Sequence, residues 1–230
     1  MNNKRRFIMI IGIALGLMMP LNMASAGSNS FKKLSAEWWQ WALSIPTSIN
    51  PQLDATGENC VVGQRGSVWF LAGTFGGGSA TRTCAVPEGK DLFFPVINSV
   101  FFDSPNVCGQ GPDSIPVEDM RAFNAAFIDG ATNLLVEVDG EPIDNSHRVQ
   151  SKVFEVALPE DNVFDAPCTG AGLGNVPGGI YSPGVDDGFY VRLGPLEVGD
   201  HTLHFHAENP GVGFVSDITY DLTVVPVVQK

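Results

Sequence analysis

Residues 199–225 read GDHTLHFHAENPGVGFVSDITYDLTVV, and this stretch decides the fold class. In its first half, strand geometry places Leu203, Phe205 and Ala207 on one face and His204 and His206 on the other. Apolar and polar residues that alternate with a period of two are typical of a strand with one buried face. Asn, Pro and Gly separate this run from the next one. The stretch therefore predicts two β-strands joined by a turn.

Short runs of the same kind recur along the chain from residue 50 onwards, separated by Gly, Pro and Asn. Strands of this length at this spacing favour a mainly β protein, an antiparallel β-sandwich of the immunoglobulin-like or jelly-roll kind. The clearest runs cover residues 68–72, 81–86, 92–97, 132–139, 148–158 and 188–193.

Two segments carry a helical pattern instead. Apolar residues recur at spacings of three and four from Phe31 to Ile45, and Pro46 ends the pattern. We expect residues 27–45 to form an N-terminal, Trp-rich helix that packs on the sandwich. Residues 116–129 show the same spacing before a glycine and predict one inserted helix.

The first 26 residues predict export. Three basic residues precede the apolar run 7–19, and Ala24-Ser25-Ala26 follows it. A cationic start, a short apolar core and small residues at a cleavage point describe a signal peptide, and an uncleaved membrane anchor is the alternative. Cleavage after Ala26 leaves residues 27–230 as a single domain without a membrane span, either periplasmic or extracellular.

Charge narrows the choice of partners. The chain has 13 Lys and Arg against 25 Asp and Glu, a formal net charge of −12. Nucleic acid and anionic lipid are repelled by such a surface and are not expected as partners. Cations, neutral glycans and basic proteins remain possible partners. With 44% hydrophobic residues, the chain is expected to fold rather than to be disordered.

Four cysteines follow the leader: Cys60, Cys84, Cys108 and Cys168. An even number in an oxidising compartment favours two disulfides. Three pairings are possible. We favour Cys60–Cys84, which flank an apparent hairpin, and Cys108–Cys168, which lie in loops of similar composition.

The histidines suggest a metal site. His204 and His206 are two residues apart on one strand face, about 6.6 Å between Cα atoms, and Glu208 lies on the same face. Imidazole and carboxylate ligands suit zinc or copper. The alternative is that the pair belongs to an ordinary solvated strand face.

Calcium is a second candidate cofactor. Two acidic stretches, residues 160–165 and Asp186-Asp187-Gly188, offer oxygen ligands of the kind that calcium prefers. Neither has the spacing of a helix–loop–helix calcium site, and acidic residues are also common in ordinary turns.

The indoles of Trp38, Trp39 and Trp41 offer two interpretations. In one they pack on the sheet as part of the core. In the other they form an amphipathic patch that stacks on a glycan or lies at a membrane interface. Trp39 lies off the apolar stripe and is expected to be partly exposed.

Enzyme motifs are scarce. The sequence lacks a Gly-x-Ser-x-Gly elbow, a phosphate-binding loop and a His-Glu-x-x-His zinc motif. Residues 161–187, rich in Gly and Pro, predict a long ordered loop, and long loops in compact domains are often functional. The preferred hypothesis is a non-catalytic binding module for a glycan or another surface protein. The alternatives are a metal-binding protein and a hydrolase with a carboxylate site in that loop.

Two stretches also carry a resemblance. Residues 37–95, with EWWQWA, VWFLAG and VPEGK, and residues 186–203 resemble a family of uncharacterised secreted bacterial proteins. That family has no established activity, so the resemblance implies no site residues. The end of the chain, with GDHTL at 199–203 and YDLTV at 220–224, is similar to the final hairpin of immunoglobulin-like bacterial surface modules.

Overall fold

The computed structural model describes residues 23–227, and their side chains from residue 30 onwards. Residues 1–22, most of the predicted signal peptide, lie outside this range. The helices are α1 (Met23–Leu43), α2 (Val117–Ile128) and α3 (Asp165–Gly170), with a 3-10 helix at Thr47–Ile49. The strands are β1 (Val68–Phe70), β2 (Gly78–Pro87), β3 (Asp91–Phe102), β4 (Thr132–Val138), β5 (Glu141–Pro142), β6 (Ser146–Gln150), β7 (Phe154–Leu158), β8 (Gly179–Leu193), β9 (Gly199–Asn209) and β10 (Phe214–Val225).

The predicted β-sandwich is confirmed. Sheet A has the strand order β1-β3-β8-β6, with β7 also paired to β8, and sheet B has the order β2-β10-β9-β4-β5. Most pairs are antiparallel, as expected. Two are parallel, β1 with β3 and β2 with β10, so both sheets are mixed. The predicted N-terminal and inserted helices are confirmed as α1 and α2.

Sheet B buries one face and exposes the other. In β9, Leu203, Phe205 and Ala207 are buried between the sheets while the residues between them are only partly buried, as the alternation predicts. Phe205 stacks on Phe94 of β3 with ring centroids 4.9 Å apart. Burying one such side chain stabilises the fold by about 1.5–3 kcal/mol.

Sheet A is covered on both faces. Every residue from Leu92 to Ile97 in β3 is buried, a continuous pattern that is typical of a strand with packing on both sides. Helix α1 lies on the outer face of sheet A, where Trp38 joins Phe93 and Tyr190 in a second apolar cluster. The layers are therefore α1, sheet A and sheet B.

Two disulfides pin the connections, in the favoured pairing Cys60–Cys84 and Cys108–Cys168. The second one joins the segment after β3 to α3. The prediction of a single long loop over residues 161–187 is wrong, because this segment contains α3 and the first nine residues of β8. Its Gly and Pro content hid a strand that lies at the centre of sheet A.

No helix among the described residues is long and apolar enough to cross a membrane.

Candidate functional site: an aromatic cleft at the free edge of sheet A

A cleft opens where sheet A has an unpaired edge. On one side β3 pairs with β8 as far as Phe102, but on the other it pairs with β1 only through residues 91–93. Residues 98–100 therefore face a space between α1, α2 and four connecting segments, with a volume of about 530 Å³. We call this space the aromatic cleft. It is lined by Trp39, Gln52, Thr74, Phe75, Gly76, Asn98, Ser99, Val100, Phe123, Ala126, Phe127, Phe164, Val212 and Phe214.

Phenylalanine rings form most of the cleft wall. Phe75 and Phe164 meet edge to face with centroids 5.3 Å apart, and Phe127 and Phe214 meet in the same way at 5.3 Å. Edge-to-face contact is a favoured geometry for aromatic pairs and holds the rings in place. Phe123 is 60% exposed, so apolar surface is also open to solvent here.

The cleft carries no charged side chain. None of its fourteen lining residues is Asp, Glu, Lys, Arg or His, although 17% of the whole chain is charged. A strongly acidic protein thus presents one neutral concave surface.

Three buried polar atoms in the cleft walls lack a protein partner. Six buried side-chain nitrogen or oxygen atoms are unpaired in the described part of the chain, and three of them belong to Trp39, Gln52 and Thr74. Trp39 and Gln52 are each only 4% exposed. An unpaired buried polar atom costs about 1–3 kcal/mol, so the residues around this cleft carry part of the energetic cost of the fold.

Gln52 is held in position by its neighbours. The side chain of Asn50 donates hydrogen bonds to the carbonyls of Ala42 and Ile45 at the end of α1, and it accepts one from the backbone of Gln52. The backbone N–H of Phe75 donates to the carbonyl of Gln52 at 3.2 Å. The two segments that carry Gln52 and Thr74 are therefore fixed side by side.

The buried side chain of Arg82 fixes the segment that precedes Thr74. Its guanidinium donates to the carbonyls of Ala72 and Gly73 and to the hydroxyl of Tyr220. These bonds satisfy a cation that is almost fully buried. Arg82 itself is not among the residues that line the cleft.

A buried hydrogen-bond chain lies behind the cleft. Asn98, a lining residue, donates to the hydroxyl of Tyr190 at 3.1 Å, and Tyr190 donates to the carboxylate of Asp186 at 2.6 Å. Ser35 of α1 donates to the same carboxylate at 3.1 Å. Trp39 lies close to the Tyr190 hydroxyl without reaching hydrogen-bonding geometry.

Burial raises the pKa of Asp186 to about 6, although these donors favour its charged form. Burial and the neighbouring Asp186 carboxylate also hold the pKa of Tyr190 well above its usual value. Asp186 and Asp187 do not form the expected acidic loop, since both lie within β8. Asp187 instead accepts two hydrogen bonds from Arg148, at 3.0 and 3.1 Å, and one from Gln150.

The other acidic stretch also has structural partners. Asp165 accepts hydrogen bonds from the backbone of Asn162 and of Val176, and Glu160 accepts one from Gly178. These bonds close the turn around α3. Two of the carboxylates proposed for calcium, or for hydrolysis in this segment, thus hold the backbone together.

The predicted histidine face forms a ladder of alternating acid and base on the open side of sheet B. The distances are 3.0 Å from Glu137 to His204, 2.8 Å from His204 to Asp217, 3.3 Å from Asp217 to His206 and 3.0 Å from His206 to Glu208. Sequence reasoning placed His204, His206 and Glu208 together. It missed Glu137 of β4 and Asp217 of β10, because strand pairing decides which residues lie across from β9.

Both ring nitrogens of each ladder histidine face carboxylate oxygens, which only accept hydrogen bonds. A neutral imidazole donates from only one ring nitrogen, so His204 donates to both Glu137 and Asp217 only when its ring carries two protons. Partial burial lowers the pKa of His204, but Asp217 and Glu137 outweigh it and the net pKa is raised. Coordination requires a neutral imidazole. Within residues 23–227 no group of three or more His, Cys, Asp or Glu is arranged to hold a metal ion.

The tryptophans are buried. Trp38, Trp39 and Trp41 pack in the cluster between α1 and sheet A, and the expected partial exposure of Trp39 is wrong. The Nε1 atom of Trp38 donates to the carbonyl of Leu71 and that of Trp41 to Val62. The three indoles therefore form no exposed patch for a glycan, and Trp39 alone reaches the aromatic cleft.

A second concave surface, of about 640 Å³, runs along α1 and residues 63–68. It differs from the cleft in chemistry, because Lys33, Glu37 and Arg65 line it. None of the unpaired buried polar atoms found between residues 30 and 227 belongs to a residue of this surface. With its uncharged, phenylalanine-rich walls, the aromatic cleft is the stronger candidate site for a small apolar ligand.

No protein-family model, curated protein or solved structure matches this chain.

Proposed function

We propose that this protein is a non-catalytic binding protein whose aromatic cleft holds a small, mainly apolar molecule. One observation carries the proposal: the chain forms a concave surface that is walled largely by phenylalanine rings and has no charged side chain among its lining residues. Ligand sites are typically concave and mostly apolar, with a few polar groups that fix orientation.

Size and rigidity support the same function. A volume of about 530 Å³ lies within the roughly 300–1,000 Å³ of small-molecule sites. The bonds of Asn50 and Arg82 fix the segments on one side of the cleft, so little ordering is needed when a ligand binds. Preorganisation of this kind increases affinity.

The setting in which the protein works is part of the proposal. Two disulfides fit an oxidising, exported environment. We infer that the protein collects its ligand in the periplasm or outside the cell. The alternatives have weaker support, since the indoles are buried, the histidines face carboxylates, and Asp186 and Asp187 are inaccessible.

A neutral fluorescent probe tests the proposal. N-phenyl-1-naphthylamine brightens in apolar sites, and we expect the purified protein to bind it with saturable, one-to-one stoichiometry. Ala126→Trp adds an indole to an exposed position that lines the cleft and should weaken binding at least about tenfold, roughly 1.4 kcal/mol.

Ala122→Trp is the matched control. It places the same side chain at another exposed position of α2 that does not line the cleft, so affinity should stay within about twofold of the wild type. Equal effects of the two substitutions, or no saturable binding by the unaltered protein, would contradict the proposed function.

A further inference from the structure

We infer that the groove along α1 and residues 63–68 binds an extended, acidic segment of a partner protein as an added strand beside β1. This groove is a different surface from the aromatic cleft, so the inference goes beyond the proposed function. Three features lead to it: the unpaired edge of β1, the rigidity of the groove and its local charge.

Strand β1 has one edge without a neighbouring strand, since it pairs only with β3. The carbonyl of Ser67 and the N–H of Leu71 both bond to β3. Backbone groups alternate in direction along a strand, so those of Val68 and Phe70 point away from β3. No hydrogen bond to the backbone of Val68 is formed within residues 30–227. An edge of this kind can pair with an extended peptide.

The side chain of Gln64 already makes the bonds of a neighbouring strand at one position of this edge. Its amide oxygen accepts from the N–H of Phe70 at 2.9 Å, and its amide nitrogen donates to the carbonyl of Phe70 at 2.7 Å. The edge is therefore closed at Phe70 and open at Val68, which lines the groove. A bound peptide pairs with Val68.

The wall opposite α1 is rigid. Trp41 Nε1 of α1 donates to the carbonyl of Val62 at 2.9 Å. A Cβ atom at Gly63 would lie 3.0 Å from the Trp41 ring, so this segment packs closely on the helix. The disulfide of Cys60 fixes the start of the same segment. A preformed groove loses little conformational freedom when a peptide binds.

The charge of the groove is opposite to that of the whole chain. Lys33 and Arg65 line it with a single carboxylate, Glu37, and the ammonium of Lys90 donates to the carbonyl of Gly66 at its rim. The pair between Lys33 and Glu37 is exposed and therefore weak. The chain as a whole carries a net charge of −12, but charges beyond about 8 Å are largely screened at physiological salt. The local cations thus favour an acidic partner.

The direction of the side chains defines the peptide pattern. Val68 and Phe70 pack on the α1 side of sheet A, and Trp69 packs on the side of sheet B. Side chains of an added strand alternate in the same way, so every second one faces α1 and its Lys33. We therefore expect the partner segment to carry Asp or Glu at alternate positions.

A labelled peptide, fluorescein-Glu-Val-Glu-Thr-Glu-Val-amide, tests the inference by fluorescence anisotropy with the purified protein. We expect saturable binding that weakens about fivefold or more when salt is raised from about 0.05 to about 0.5 M. The peptide with Lys in place of every Glu should not bind. No saturable binding of the acidic peptide, or equal binding of the two peptides, contradicts the inference.

Two charge reversals assign the binding to the groove. Arg65→Glu changes an exposed lining residue and should weaken binding of the acidic peptide at least about tenfold. Lys152→Glu makes the same change in net charge at an exposed position outside the groove and should weaken it less than about twofold. Equal losses in the two variants show that only the overall charge matters, and the groove is then not the site.

Backbone methylation distinguishes an added strand from general attraction of anions. Of two peptides, one N-methylated at every Glu and the other at every Val and Thr, one should bind at least about fivefold more weakly and the other within about twofold of the parent. Trigalacturonate, an anion of similar charge without peptide bonds, should compete at least about tenfold less well. If it competes equally, or if both methylated peptides bind like the parent, the bound partner is not a strand.

The two proposals fail separately. Arg65→Glu should leave the affinity for N-phenyl-1-naphthylamine within about twofold, and Ala126→Trp should leave the affinity for the acidic peptide within the same range, because the two surfaces share no lining residue. Loss of peptide binding in Ala126→Trp as large as in Arg65→Glu places the peptide outside the groove and overturns the inference.

Discussion

The polar residues of the two sheets lie in opposite environments, buried in sheet A and exposed in sheet B. Sheet A is covered by α1 on one face and by sheet B and α2 on the other, whereas the outer face of sheet B meets solvent. Asp186 of β8 is fully buried, and burial raises its pKa to about 6. Asp217 of β10 is 48% exposed in its side chain, and hydrogen bonding to His204 lowers its pKa. What covers a strand, rather than the type of residue on it, decides how its carboxylates behave.

The difference between the two sheets also indicates where a ligand site is expected. Histidines at alternate positions are conspicuous in a sequence, but on the open face of sheet B every ladder nitrogen has a carboxylate partner. The aromatic cleft belongs to the covered sheet, and its lining is mainly apolar with no charged side chain. An open apolar concavity, more than a conspicuous pattern of histidines, marks the place where a ligand is expected to bind.

The largest effect is expected from a buried ion pair of sheet A. Arg148→Ala leaves Asp187, only 1% exposed in its side chain, without its two strongest hydrogen bonds. Leaving a buried charge uncompensated costs about 3–5 kcal/mol in the free energy of unfolding. Urea denaturation at pH 7 measures this loss.

The control for Arg148→Ala is Lys33→Ala, which removes an exposed helical pair with Glu37 and should cost less than about 0.5 kcal/mol. The double variant Arg148→Ala/Asp187→Asn should recover part of the loss because the buried charge is gone. If the two single variants cost the same, the contrast between covered and open charges is wrong.

A smaller effect concerns pH. The pKa of Asp186 is about 6 in the folded protein and near 3.8 unfolded, so the folded state binds the extra proton between these values. Stability therefore falls as pH rises from below 4 to above 6, by about 3 kcal/mol from this group alone. Asp186→Asn lacks this loss.

The measurement is the free energy of unfolding of both proteins in urea at pH 4, 5, 6 and 7.5. The difference, Asp186→Asn minus wild type, should grow by about 2.5 kcal/mol from pH 4 to 7.5, largely between pH 4 and 6. A difference that stays constant with pH shows that the carboxylate is solvated like one on the open face.

The smallest effect is expected on sheet B, where the titrating group is a base, His204, instead of an acid. The pKa of His204 is raised in the folded state, so its ladder contributes stability that is fully present below pH 6.5 and lost as pH rises through the raised pKa. The side chains of the ladder are partly exposed, and solvent screens their charges. The contribution is therefore less than about 1 kcal/mol.

His204→Gln tests this contribution. Its unfolding free energy should be lower than that of the wild type at pH 5.5 and converge on it by pH 9. Added 0.5 M salt should reduce the difference at pH 5.5, because exposed ion pairs are screened. A deficit that persists unchanged at pH 9 indicates a packing role for the imidazole.

Sequence reasoning was most successful where one strand face is open. Leu203, Phe205 and Ala207 alternate with polar neighbours, so both the strand and its orientation followed from the pattern. It failed in residues 161–187, where β8 combines Gly, Pro and acidic residues with burial on both faces. Without alternation, a covered strand of this composition looks like a loop.

The cleft had almost no local signal. Its lining residues come from positions as far apart as Trp39 and Phe214, and their proximity depends on how β3, α2 and the β9–β10 turn meet. One clue was available: Trp39 lies off the apolar stripe of α1. That offset directs its side chain towards the cleft instead of towards solvent.

The parallel pairing of β2 with β10 has a consequence for synthesis. Residues 78–87 find their partners at 216–225, near the end of the chain, and β2 has no other neighbour in sheet B. The ribosome must therefore release almost the entire polypeptide before this strand is placed, and such distant pairings fold slowly. Sheet B is therefore completed only after β10 has been synthesised. Until then the chain remains incompletely folded and can still be threaded through a channel.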